Sequence, residues 1–169
     1  MHGNPCSAYF AFMNIRLLAI GKTDSKTLQS LVQEYEKRLG HYVRYSAEII
    51  PDIKNSARMS EAQQKAREGD LLLKKLQPGD VLILLDEKGK AYHSVGFSEF
   101  LQKKMNAGTR QLVFAIGGPY GFSDAVYAQA GGKVSLSPMT FSHQMVRLFF
   151  TEQLYRAFTI LNNEPYHHR

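Results

Sequence analysis

Three stretches carry the residues able to do chemistry. In the first, an apolar run from Leu112 to Ile116 breaks into Gly117-Gly118-Pro119-Tyr120-Gly121, where glycine permits tight turns and lets a ligand approach the main chain closely. In the second, a short run from Lys133 to Leu136 opens into the loop Ser137-Pro138-Met139-Thr140-Phe141-Ser142, which delivers His143 and Arg147 onto a long apolar helix. The third, Asn162 to Arg169, sets Tyr166, His167, His168 and Arg169 behind Pro165. Loops leaving the carboxyl ends of strands in an α/β pattern are where ligand sites form. Leu85 ends a further apolar run, Asp80 to Leu85, so Leu85, Gly117 and the segment 136–141 bring three strand ends to one pocket. Main-chain donors and acceptors with an apolar lining are enough to read an adenine. A phosphate suits the glycine loop equally on composition, although neither a Walker lysine nor a GxGxxG spacing is present.

The remaining polar residues carry competing readings. Met139 alone reads as a gap-filling core side chain. Ser142 and His143 are neighbours in sequence, which is not a nucleophile and base arrangement, and no G-x-S-x-G elbow accompanies them; His143 is expected to cap the helix or to lie at the pocket mouth. Arg147 and Arg156 lie on the apolar helix, where a guanidinium needs an acid or a ligand anion. Glu152 stands four residues before Arg156, the spacing of an intrahelical ion pair, which leaves Arg147 as the freer cation for RNA. His167 and His168 lack carboxylate or cysteine company, so no metal site is expected, and an ordinary frayed terminus is the competing reading of the tail.

The elements that position these groups follow from periodicity. Asn14 to Ile20 reads as a strand; Leu28, Leu31, Val32, Tyr35 and Leu39 recur at helical spacing behind a cap at Asp24 or Ser25, and Gly40 ends that helix. Val43 to Ile50 is a second strand, and the polar segment 52–58, with Lys54 and Arg58, is a solvated connection or an arm toward RNA phosphates. Ser60 and Gln63 have capping-box spacing at the start of a helix to about Leu76, which Gly69-Asp70 is expected to kink or break. Asp80 to Leu85 is the most continuously apolar strand, ending at the turn Asp86-Glu87-Lys88-Gly89. Helices at 98–105, 123–130 and 143–161 alternate with strands at 112–116 and 133–136. Five such alternations predict a mainly parallel α/β sheet flanked by helices. The last helix is apolar around far more than one stripe, so something besides its own sheet must cover it, and a second subunit is the economical answer.

With 169 residues, 44% of them hydrophobic and 21% charged, the chain reads as a single globular domain over 13–169. Residues 1–12 are expected to be an extension ahead of Met13, having no basic n-region and too short an apolar core for a signal peptide. Cys6 is the only cysteine, which excludes an intrachain disulfide and points to the cytoplasm. No apolar run approaches the roughly 18 residues that span a bilayer. A net charge of +6 favours an anionic partner without choosing among RNA, DNA and acidic membrane.

IGGPYG, LSPMTFSHQMVR and the terminal NNEPYHHR, together with MNIRLLAIGK from Met13 and the helix end YEKRLG, resemble the ribosomal RNA large subunit methyltransferase H family of small SPOUT-class enzymes. The resemblance runs from Met13 to Arg169. It implies a SPOUT-type α/β knot with a trefoil-knotted C-terminal region, which general folding rules would not suggest, and methylation of N3 of a pseudouridine in 23S rRNA. It implies S-adenosyl-L-methionine held mainly through main-chain groups, placing Leu85, Gly117, Leu136, Ser137, Pro138, Met139, Thr140 and Phe141 at the donor, with Gly118 allowing close approach. Tyr166 and His167 would reach the substrate base, from the partner subunit in a homodimer, with His167 assisting proton removal and Arg147 or Arg169 orienting phosphate or uracil carbonyls. His168, Arg169 and His143 complete the expected RNA contacts. The implied partners are a second copy and 23S rRNA within the ribosome, with neither membrane nor DNA. The rival readings are a non-catalytic RNA-binding protein and an enzyme of the same fold acting on tRNA.

Overall fold

The structure, a computed structural model, describes residues 13–168; the expected extension 1–12, with Cys6, and Arg169 lie outside the described residues. Five strands, β1 (Asn14–Ile20), β2 (Arg44–Ile50), β3 (Val81–Ala91), β4 (Gln111–Ile116) and β5 (Gly132–Ser135), form one all-parallel sheet in the order β2-β1-β4-β3-β5. The helices are α1 (Lys26–Leu39), α2 (Glu61–Leu73), α3 (Ser94–Asn106), α4 (Asp124–Gln129) and α5 (His143–Leu161), with a 3-10 turn at Ser56–Arg58.

Alternation along the strands builds two cores. Ile15, Leu17 and Ala19 of β1, with Leu112 and Phe114 of β4, join Leu39 of α1, Leu101 of α3 and Phe150, Leu154 and Phe158 of α5. Leu18 and Ile20 point the other way, and with Leu82, Leu84 and Val113 they meet Leu72 of α2 and Val126 of α4. A parallel sheet covered on both faces needs such continuous runs, and each fully buried large apolar side chain contributes about 1.5–3 kcal/mol.

The helix starts follow their caps. Ser25 Oγ accepts from Leu28 N at 3.3 Å, Ser60 and Gln63 form the reciprocal capping box, and Ser142, rather than His143, caps α5.

Several expectations are corrected. No break interrupts α2 at Gly69-Asp70: a Cβ at Gly69 would lie 2.3 Å from Ser123 Oγ, so this glycine serves close packing against the start of α4. The turn at 86–89 is absent because β3 continues to Ala91 and changes register on β5, with Leu85 and then Lys90 opposite Val134. A Cβ at Gly89 would stand 2.7 Å from Val134 main chain, so only glycine fits that crossing. Helix α3 begins at Ser94 instead of Ser98. Besides its sheet, α5 packs within the chain against α1 and α3, and Phe149 is its one exposed large apolar residue; this leaves the expected second subunit untouched.

Candidate functional site

The carboxyl ends of β3, β4 and β5 open into a cavity of about 400 Å³, within the range of small-molecule sites. Leu85, Gly117, Gly118, Leu136, Ser137, Met139, Thr140, Phe141 and His143, all anticipated from sequence, line it. Pro138 does not. Met139 is 72% exposed at the mouth, which corrects its reading as a core filler, and Phe141 packs on Phe149 with ring centroids 4.8 Å apart.

Two tight turns shape the cavity walls. Gly121 N donates to Gly118 O at 3.1 Å and Gly121 has φ +78°, a left-handed conformation that favours glycine. Across the cavity, Ser137 Oγ accepts from Met139 N at 2.9 Å while Ser135 Oγ donates to Ser137 O at 3.1 Å. The glycine wall is thin because Glu68 fills the place of a side chain at Gly118 and Gly121 crowds one at Gly117. A Cβ at Gly117 would come 3.2 Å from Gly121 O, and one at Gly118 would come 2.1 Å from Glu68 Oε2. Two adjacent bare residues facing an apolar-lined slot suit an adenosyl group read through the main chain.

Sequence reasoning missed the polar side of the cavity. Asp86, Glu87 and Lys88 line it because β3 runs on where a turn was expected, and Tyr127 of α4 joins them. Asp86 Oδ1 accepts from Lys88 N at 2.7 Å, and Asp86 Oδ2 accepts from the Tyr127 hydroxyl. Burial, and then the hydrogen bond to Asp86, push the Tyr127 phenol up to about 12, so it stays a donor at neutral pH. The alternation of apolar and polar residues after Leu85 could have signalled a continuing strand.

Behind the glycine wall lies Glu68 of α2, 3% exposed. Its Oε1 accepts from Gln64 Nε2 at 2.8 Å, whereas Oε2 is buried without a hydrogen-bond partner. Burial raises its carboxyl above the ordinary range; Asp52 adds to this, and Gln64 and His143 oppose it.

Arg147 is the reverse of the free cation expected. It is 3% exposed, and its guanidinium donates to Ile20 O at 3.0 Å, to Gly21 O and to Thr23 Oγ1. It braces the end of β1, and burial lowers its pKa against the opposing pull of Asp52 and Asp24.

The tail forms a second cluster. Arg156 pairs with Glu152 as the spacing predicted, Nη2 to Oε1 2.6 Å, and stacks over the Tyr166 ring at 4.6 Å. Tyr166 packs against Tyr155 and its hydroxyl lies 3.4 Å from that of Tyr35. His167 Nδ1 is 3.5 Å from Arg156 Nη1, and His168 is exposed. At a rise of about 1.5 Å per residue, Glu152, which Tyr166 contacts, and Arg156, beside His167, lie roughly 9 Å and 15 Å along α5 from the cavity-lining Val146. Neither Tyr166 nor His167 lines the cavity of its own chain. Among the described residues no helix is long and apolar enough to cross a membrane.

A family model described as a predicted SPOUT methyltransferase matches residues 13–167. The ribosomal RNA large subunit methyltransferase H of Flavobacterium johnsoniae is 68% identical over 157 residues, 93% of this chain and 100% of the relative. Its counterpart from Parabacteroides distasonis is 61% identical over 156 residues, 92% of this chain and 99% of the relative. Among solved structures, a probable methylase family protein from Haemophilus influenzae Rd KW20 superposes with a TM-score of 0.51 at 12% identity, over 90% of this chain and 67% of that one, a likeness of fold alone.

Proposed function

The chain belongs to the SPOUT methyltransferase family, and from that premise we propose that it transfers a methyl group from S-adenosyl-L-methionine to N3 of a pseudouridine in 23S rRNA. The observation that carries the reading is the strand-end cavity whose wall, Gly117 and Gly118, is bare of side chains and whose far side is the segment 136–141. Residues 13–169 act as one catalytic unit, with the family's trefoil knot in the C-terminal region.

S-adenosyl-L-methionine supplies an electrophilic methyl carbon, so the protein's task is alignment and proton removal. Main-chain groups of Gly117, Leu136 and the loop to Phe141 would hold the adenosyl portion, and Asp86, oriented by the Tyr127 hydroxyl that donates to it, would offer an acceptor to its polar part. His167 takes the N3 proton, a role suited to the side chain that exchanges protons near neutrality. Tyr166 positions the base; His143, His168 and Arg169 contact RNA. Arg147 serves by holding the end of β1.

The distance along α5 between cavity and tail supports a homodimer in which each tail completes the other subunit's site. Exposed Met139, Tyr120 and Phe149 near the cavity mouth give a second copy apolar surface to cover. A substrate within ribosomes places the work in the cytoplasm.

The test is mass spectrometry of nucleosides after incubating the purified protein with labelled donor and ribosomes from a strain lacking this modification. Label in 3-methylpseudouridine of 23S rRNA is the expected result. Label only in tRNA, or none despite donor binding, would overturn the proposal.

A further inference from the structure

Glu68 is a buried carboxyl group that the mechanism above does not use. It lies on α2, outside the cavity lining, separated from the cavity by the single residue Gly118. Holding a carboxylate there is costly, since a buried charge without a cation in contact loses its hydration with nothing in return. Its only hydrogen bond comes from the neutral Gln64, and Oε2 has no partner among the described residues. The titratable groups that act on it are Asp52, which disfavours its ionised form, and His143 at the start of α5, which favours it. A glutamine would accept the same hydrogen bond from Gln64 at lower cost.

Gly118 is what brings the charge to the cavity. With a side chain there, the carboxylate would have to withdraw, because a Cβ would stand 2.1 Å from Oε2 and 2.8 Å from Oε1. The neighbouring Gly69 lets α2 approach closely enough to hold Glu68 in this place, its own Cβ position being filled by Ser123. Two bare residues on two different elements thus press one carboxylate against the back of the glycine wall. In a water-poor interior such a charge acts across several ångströms.

Resting on the proposed reading of the cavity, we propose that Glu68 makes it select the cationic methyl donor over the neutral spent product. During transfer the carbon–sulfur bond breaks with its electron pair left on sulfur, the nitrogen–carbon bond forms, and the N3 proton departs to the protein. The ligand therefore enters as a sulfonium and leaves as an uncharged thioether, S-adenosylhomocysteine. The sulfonium supplies the cation that the Glu68 carboxyl lacks and so favours its ionised form, whereas the thioether offers none, which aids product release.

Calorimetry on the full-length protein with S-adenosylmethionine and S-adenosylhomocysteine tests this. E68Q is expected to weaken the donor by about tenfold while the product changes by less than about twofold, the asymmetry a lost charge produces. A purely structural role would move both ligands together; equal weakening of the two, or no change in either, overturns the proposal. E68D and E68N repeat the comparison with a shorter pair differing only in charge, so the test survives if E68Q does not fold. E68D is expected to retain the donor preference and E68N to lose it. Failure of the unmutated protein to bind either ligand would instead refute the reading of the cavity itself.

Discussion

The Tyr166 hydroxyl donates to Glu152 Oε1 across 3.0 Å, the same oxygen that receives Arg156 Nη2 at 2.6 Å. The tail is thus docked on α5 before any RNA arrives. Replacing Glu152 with Ala should release it. Methylation is expected to fall at least about tenfold with donor affinity unchanged, while stability drops by no more than about 1 kcal/mol, as for other partly exposed pairs. Methyl transfer to ribosomes, calorimetry and thermal unfolding read the three quantities; full activity in E152A would detach this cluster from the reaction.

A composite site makes a stronger demand. Y166F/H167A should be inactive yet bind donor, and a G118W chain should be inactive because it cannot bind donor. Mixed and allowed to exchange subunits, the two should regain activity, since a mixed dimer holds one intact cavity facing one intact tail. If they remain inactive after exchange is demonstrated by mass, each chain uses its own tail.

Arg147 braces rather than reaches. R147A would leave the carbonyls of Ile20 and Gly21 without their donor, and an expected loss of about 2–4 kcal/mol follows from stranding buried acceptors. R147K should not restore it, because an ammonium cannot present the fork that spans both carbonyls and Thr23. Denaturant unfolding decides: unchanged stability with weaker ribosome binding would return Arg147 to the RNA-contacting set.

G69A should destabilise by about 1–3 kcal/mol although alanine is the better helix former, because overpacking against Ser123 and Val126 outweighs the gain of about 1 kcal/mol in propensity. An unchanged melting temperature would show that α2 and α4 can separate freely.

Tyr127 gives a pH dependence. Its folded pKa, about 12, lies above the unfolded value near 10. The stabilisation is therefore complete below pH about 10 and is lost as pH rises toward about 12. Y127F should be less stable than the unmutated protein at neutral pH, with the two curves converging through that alkaline window. Parallel curves would mean that the hydroxyl makes no titrating contact.

Strand and helix identity were legible wherever apolar periodicity was strong, as in β1, β4 and α1, because alternation and 3.6-residue spacing report directly on burial. Glycines were harder. Gly69 and Gly89 read as breaks by local propensity, yet both sit inside regular elements because another chain segment occupies the space of a side chain. That is tertiary information no local window contains. Apart from Pro138, the cavity-lining segment 136–141 was anticipated from strand ends and resemblance, whereas Asp86 was missed with the second half of β3 and Tyr127 with it as its partner. Arg147 was misjudged because its partners, the carbonyls of Ile20 and Gly21, lie far away in sequence and carry no side-chain signal.

The placement of β1 between β2 and β4 governs how the molecule is made. Leu17 lies opposite Phe114, so the middle of the sheet stays open until most of the polypeptide has emerged from the translating machinery. Assembly of this kind, dominated by distant partners, is slow and leaves sticky edges bare while it waits. Fragments truncated before β4 should therefore accumulate as aggregates, and newborn chains should lean on holding chaperones until Phe114 closes the gap.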